Sequence, residues 1–438
     1  DISFTNPTYA DNRIFGILNS NQKGTVANAY GSGATGEINI SHNSKNSYID
    51  QIDGIVNGDN AIYGATGKIT ISALARAVFG IIRGSNAASA NSTGEINITI
   101  PETENFSTNI YGIAYNGYNA YGSGSKGTIS ITTTGGYNTI YGLWGDVDNG
   151  AEGGIGTINI TSEKLVKGSI IGIEGCNNSN GFGSSVNIKV NDQTTENKGT
   201  SSIQSIKGMM SNMPNGVSDP NMKNDGTISI SAAHNNFKII GMDSILANLT
   251  NNGKITIEGK RDIFNLETAG MQISGATLKA KNEQNSSIDI TIDGISSIKY
   301  SFGTIETVKG HSAKAYGMNA LNSSSISNRG SITITHNNPN TINLYGMSTS
   351  GKGGQATNYE SGTITINVTK SSDVDGNIYG MYAEKGASAT NFGTIKLTTK
   401  SNNNNVYGMY ADNATITNVG TIELSVTSTE KAFAMYAV

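Results

Sequence analysis

The chain has 438 residues, 55 of them Gly and only 5 Pro, with charged residues at 14% and a formal net charge of −4 at pH 7. That balance contains no Lys/Arg cluster, which excludes a surface built to track nucleic-acid phosphates, and a single cysteine, Cys176, excludes an intrachain disulfide. No run of about 18 apolar residues exists to cross a bilayer as a helix, and Ile recurring at fixed places argues against the disorder that so much Asn, Ser and Thr would otherwise suggest.

From the N-terminus onward one phrase recurs: an apolar residue, often an aromatic, then Gly, then Ile, Leu or Met. It reads Ile14-Phe15-Gly16-Ile17, then Ile110-Tyr111-Gly112-Ile113, Leu344-Tyr345-Gly346-Met347, Ile378-Tyr379-Gly380-Met381 and Val406-Tyr407-Gly408-Met409, and its last copy has Ala434 in place of Gly. A Gly-Thr-Ile phrase alternates with it at 127–131, 156–160, 362–366 and 420–424. A period of about 32 residues predicts one stacked repeat domain over 1–438. The longest interval, between Gly270 and Gly317, predicts a longer loop or insertion around 274–315.

The last repeat shows the unit. Strands are predicted over 406–411, 414–417 and 421–426, with an Asn-x-Gly turn at 418–420, because Asn and Gly tolerate positive φ. In 421–426, Ile422, Leu424 and Val426 point in while Thr421, Glu423 and Ser425 point out. The same alternation assigns Ile129, Ile131, Ile158, Ile160, Ile364 and Ile366 to interior columns. Three short strands and three corners per turn describe an all-β parallel β-helix, a β-solenoid of about 13–14 rungs. Frequent Gly and β-branched runs disfavour helices. The turns at Asn224, Asn251, Asn328, Asn391 and Asn418 either stack into a ladder of side-chain amides or use Asn simply as a turn residue.

The Gly phrase poses a parity problem. The residues two before and one after Gly are both apolar, yet three positions separate them, which a regular strand would place on opposite faces. Gly is therefore expected to mark a bulge or corner that resets the facing. The position just before Gly holds Phe79, Tyr111 and Tyr141, but also Asp53 and Lys207. A column that accepts Asp and Lys is not expected in a core, so it reads as an aromatic stripe on the outer wall. Its longest run is Tyr316, Tyr345, Tyr379, Tyr407 and Phe433, the candidate binding residues, which Tyr382 and Tyr410 widen. The stripe either braces the wall by stacking or offers a platform to sugars or proteins.

Signals for chemistry are sparse, and no catalytic residue, metal site or cofactor is expected. His42, His234, His311 and His336 lie in different repeats without metal-ligand spacing. The Gly-rich stretch at 150–156 lacks the Gly-Lys-Ser/Thr ending of a phosphate loop, and 122–125 is no nucleophile elbow. Acidic corners at 146–152 and 373–377 lack a known Ca²⁺-loop spacing and read as solvated turns. Three sites fit an acidic N-glycosylation sequon, around Asn39, Asn97 and Asn285, of which only Asn285 falls in a polar corner.

Asn-x-Gly-Thr-Ile-x-Ile alternating with Tyr-Gly-Met resembles the passenger domains of type V autotransporters, nearest to the adhesin-like ones of Campylobacter, Helicobacter or Fusobacterium. The resemblance covers nearly the whole chain, and its motifs specify a β-helix rather than a ligand. It implies a right-handed β-helix, displayed on the cell surface or secreted. The chain would serve as an adhesin for host cells, matrix or neighbouring bacteria. The implied partner is a host glycan or surface protein, or another bacterial surface. Both ends of the chain read as cut, and a membrane barrel is expected beyond the C-terminus. The alternatives are a toxin-like passenger and a β-helical glycan hydrolase or lyase.

Overall fold

A computed structural model describes residues 2–4, 13–18, 36–42, 49–56, 67–82, 93–101, 107–115, 126–134, 137–145, 156–163, 168–175, 185–191, 205–211, 221–232, 238–261, 267–294, 299–300, 303–304, 313–337, 342–369, 376–400, 404–427 and 431–438. They form strands, turns and bends, with no helix among the described residues. The chain folds as a parallel β-solenoid, as the repeat period predicts.

Contacts divide it into two compact units. The first comprises Asp1–Asp192, Ser202–Met210 and Asp225–Thr227, and the second Gln193–Ser201, Ser211–Asn224 and Ile228–Val438. In the first unit the Gly-phrase strands, from Arg13–Leu18 to Ser205–Ser211, pair in parallel in sequence order. The alternating strands, from Ile2–Phe4 to Ser185–Val190, do the same. In the second unit there are three parallel sheets. Gly-phrase strands run from Lys238–Ser244 to Lys431–Ala437, Thr-Ile strands from Thr227–Ala232 to Thr421–Val426, and four-residue strands from Asn221–Asn224 to Thr415–Asn418. The three-strand coil is thus realised there. Within 274–315 lie two ordinary coil strands, Lys279–Asn282 and Ser287–Gly294, followed by an antiparallel pair, Lys299–Tyr300 with Gly303–Thr304.

The Ile columns are the interior. Ile129, Ile131, Ile158, Ile160, Ile364 and Ile366 are all at 0–1% exposure. Ile422 and Leu424 stack on Ile395 and Leu397 in the same register but are only half-buried, because a neighbouring strand covers them on one side alone.

The glycines explain the parity. Gly346 has no place in the register, which passes from Tyr345↔Tyr379 to Met347↔Met381. A Cβ on Gly346 would run into Ile364 Cγ2 of the facing sheet and come within 2.5 Å of the Gly380 carbonyl oxygen, so glycine is needed for space. Leu344 and Met347, on either side, are buried at 1% and 0%. The facing resets at the glycine, as the apolar spacing requires.

The corner between the four-residue strands and the Thr-Ile strands carries the Asn ladder. Each Asn Nδ2 donates to the Oδ1 of the next: Asn224 to Asn251 at 2.7 Å, then Asn251 to Asn282, Asn282 to Asn328, Asn328 to Asn358, Asn358 to Asn391 and Asn391 to Asn418, all at 2.8 Å. Asn282 and Asn358 belong to it although their turns are not Asn-x-Gly. Exposure is 0–1% from Asn224 to Asn391, so every member must be paired, and each is.

Candidate functional site

The side of the Gly-phrase sheet turned away from the interior carries the candidate site. In the second unit Tyr316, Tyr345, Tyr379, Tyr407 and Phe433 occupy one register position in successive coils. Their rings lie parallel, with centroids 4.7 Å apart for Tyr316–Tyr345, 4.9 Å for Tyr345–Tyr379, 5.2 Å for Tyr379–Tyr407 and 5.7 Å for Tyr407–Phe433. Coil spacing imposes this stacking on any aromatic repeated in register.

A second column, Tyr382, Tyr410 and Tyr436, flanks the first. It is stacked within itself and meets the first edge to face, as in Tyr379–Tyr382 at 5.1 Å and Tyr407–Tyr410 at 5.0 Å. On the other flank Asn405 Nδ2 donates to Asn377 Oδ1 at 3.1 Å, and Lys238 pairs with Glu267 at 3.0 Å. Thus enclosed, Tyr316, Tyr345, Tyr379 and Tyr407 are only 7–9% exposed. Phe433, Tyr382 and Tyr410 are half-buried against them.

The first unit holds a shorter version. Phe79, Tyr111 and Tyr141 stack at 4.6 and 5.0 Å, and Trp144 leans on Tyr111 at 5.4 Å. Within each stack the rings cover one another's faces.

The expectation that a column accepting Asp is not core is corrected by Asp53, which is fully buried. It lies between Phe15 and Phe79 in register, and Gln51 Nε2 donates to both carboxylate oxygens at 3.0 and 2.9 Å. The wall column is enclosed by its own neighbours. Burial pushes the Asp53 carboxyl up to about 6, against the pull of Gln51 and Arg13. Lys207, by contrast, is half-buried, with its ammonium 3.0 Å from Met210 Sδ.

Burial also raises the hydroxyls of the stack. Tyr345 is pushed up to about 12, with Glu384 adding to the effect, and Tyr316, Tyr379 and Tyr382 are raised as well. Glu384 accepts from Tyr382 at 3.1 Å and from Lys385 at 2.8 Å. Burial raises Glu384, but hydrogen bonds from Lys385, Ser350 and Tyr382 outweigh it and hold the carboxyl below its usual range.

Residues 154–438, well over half of the chain, match the family model described as the BigA third pectate lyase-like domain. The chain belongs to this BigA-domain family. BigA itself is an autotransporter-like adhesin, which fits a passenger-like β-solenoid. No curated protein and no solved structure matches the chain.

Lyase chemistry on a BigA-type domain would need acidic groups gathered on one face. Among the described residues no three His, Cys, Asp or Glu side chains come together as metal ligands. Of the acidic corners, 146–152 and 373–375 lie outside the described residues, as do 150–155 of the Gly-rich stretch, the 122–125 segment, Cys176, His234 and His311. His336 is 4% exposed at the end of Ser331–His336, in register with Ile292 and Val368. Asn39 and Asn97 lie on strands, whereas Asn285 sits exposed in a turn with φ 68°.

Sequence reading gave the first aromatic column and, of the second, Tyr382 and Tyr410 alone. Trp144 and Tyr436 stand three residues past the aromatic of the phrase, like Tyr382 and Tyr410. That spacing joins the same wall only because the glycine position resets the facing.

Proposed function

We propose that the chain is a surface-displayed or secreted adhesin of the autotransporter passenger type, which binds host cells, matrix or neighbouring bacteria and performs no catalysis. The observation that carries this reading is the BigA-family match on a β-solenoid whose wall concentrates aromatics in two adjoining columns. The contact surface proposed is the wall of Tyr316, Tyr345, Tyr379, Tyr407 and Phe433. Tyr382, Tyr410 and Tyr436 supply the more accessible rings and hydroxyls, the combination that recognition surfaces favour. Tethering through a C-terminal membrane barrel and type V export belong to the same proposal.

The test is binding of the purified chain to arrayed host glycans, matrix proteins and bacterial cells, beside a Tyr382→Ser/Tyr410→Ser variant. Adhesion that falls in the variant at unchanged thermal stability supports the reading. Depolymerisation of an acidic polysaccharide by the purified chain would replace it with the lyase alternative.

A further inference from the structure

We infer that Asn285 is a glycosylation site, the acceptor that the fold leaves open among the three matches to the acidic sequon. The inference rests on the exported part of the proposed reading and not on adhesion. The sequon asks for an acidic residue two before Asn and a hydroxyl two after it, here Glu283 and Ser287. Around Asn39, Asn97 and Asn285 the motif is the same, and the setting decides between them.

Asn39 and Asn97 stand within the strands Glu37–His42 and Thr93–Ile100, and both are half-buried. Asn39 is in register with Thr70, and Asn97 with Thr70 and Ser130. A transferase draws the acceptor backbone into its own site, and at these positions it would have to strip ladder bonds from a parallel sheet. Asn285 lies on a corner instead. Its coil's four-residue strand ends at Asn282 and the Thr-Ile strand starts at Ser287, so residues 283–286 make the turn. In the coils on either side the turn is 252–253 and 329–330. The corner is thus two residues longer than its neighbours, and Gln284 and Asn285, in the middle of it, are both exposed.

The base of the bulge is fixed by other residues. The N–H groups of Glu283 and Ser287 donate to the Asn251 and Gly253 carbonyls of the preceding coil at 2.9 and 3.1 Å. Ser286 is buried, and its Oγ donates to Asn282 Oδ1 at 2.7 Å. Asn285 has φ 68°, a conformation that Asn tolerates. Two other exposed turns lack the acid. Asn322 and Asn413 have φ of 52° and 47° and carry Ser324 and Thr415 two residues on, but Ala320 and Ala411 stand where Asn285 has Glu283. Among the described residues the full motif and an exposed turn coincide at Asn285 alone.

The co-reactant is an oligosaccharide joined through diphosphate to a polyprenyl lipid. Asn285 Nδ2 attacks C1 of the first sugar and a C–N bond forms. The C1–O bond breaks, its electron pair leaves with the diphosphate, and one amide proton passes to a base of the transferase.

The purified, folded chain is incubated with a transferase that reads the acidic sequon and its lipid-linked oligosaccharide, beside a free 283–287 peptide as positive control. Mass spectrometry then reads the tryptic peptide 282–299. The expected result is one added oligosaccharide on Asn285, lost in Ser287→Ala and in Glu283→Gln. Both variants keep Asn285, and Glu283→Gln removes only a surface ion pair to Arg329, so the melting temperature is unchanged. An unmodified Asn285 beside a glycosylated peptide overturns the inference. Transfer to Asn39 or Asn97 in preference, or equally to Asn322 or Asn413, overturns it too. The assay reads mass and not adhesion, so each of these failures leaves the adhesive reading standing.

Discussion

Tyr379 and Tyr382 are three residues apart in one strand, yet their rings meet edge to face at 5.1 Å on the same side of the sheet. Regular alternation would put them on opposite sides. Gly380 between them resets the facing, and a Cβ there would strike Ile395 Cγ2 and lie 2.5 Å from the Gly408 carbonyl oxygen.

Gly380→Ala should therefore destabilise the second unit by about 1–3 kcal/mol through overpacking. Denaturant unfolding measures it. A loss no greater than that of a Thr415→Ala control, at an exposed strand position, would show that space is not what the position requires.

Asn358 donates to Asn391 and accepts from Asn328, all three fully buried. Asn358→Leu leaves a donor on Asn328 and an acceptor on Asn391 unmet and should cost about 2–4 kcal/mol. Asn413→Leu, at an exposed turn, is the comparison, although its positive φ of 47° adds a strain of its own. A ladder variant as stable as the parent would contradict the ladder's structural weight.

Asp53 has its carboxyl raised from 3.8 to about 6 by burial. A raised pKa means that the group's favourable contribution is fully present below pH 3.8 and is lost as pH rises through about 6. Asp53→Asn keeps a partner for Gln51 and removes the buried charge. The variant should be more stable than the parent at pH 7, by up to ~3 kcal/mol, with the gap closing towards pH 4. Unfolding curves of both chains across that range decide it.

Tyr141 and Tyr345 are pushed up to about 12 from 10.0, chiefly by burial. Their contribution to stability is present below pH 10.0 and is lost as pH rises through about 12. Tyrosinate absorbance of the folded chain at pH 11 should fall well short of that of the chain in denaturant. Equal absorbance in a still-folded sample would mean that the stacks are open to water.

Replacing Tyr345, Tyr379 and Tyr407 by Ser removes four stacked contacts, each worth about 0.5–1.5 kcal/mol beyond area burial. The melting temperature should fall clearly, and adhesion per folded molecule should fall with it. Adhesion that is undiminished in a folded variant would leave these rings as bracing alone.

The parallel β-solenoid, the interior Ile columns and the aromatic column were legible in the sequence. Stacked coils place every residue of one repeat beside its equivalent in the next, so periodicity alone determines which side chains meet. Asn224, Asn251 and Asn391 announced turns, but only the coil-to-coil register showed that their amides join into one bonded chain, with Asn282 and Asn358 as members. Exposure was decided by tertiary structure. Asp53 is buried and Tyr345 nearly so, because their neighbours above, below and beside them close the wall, while Phe392 stands in solvent because a corner has neighbours only along the stack. A column's composition records what repeats. How much water reaches that column depends on the columns on either side, and those are brought alongside only by the winding of the chain.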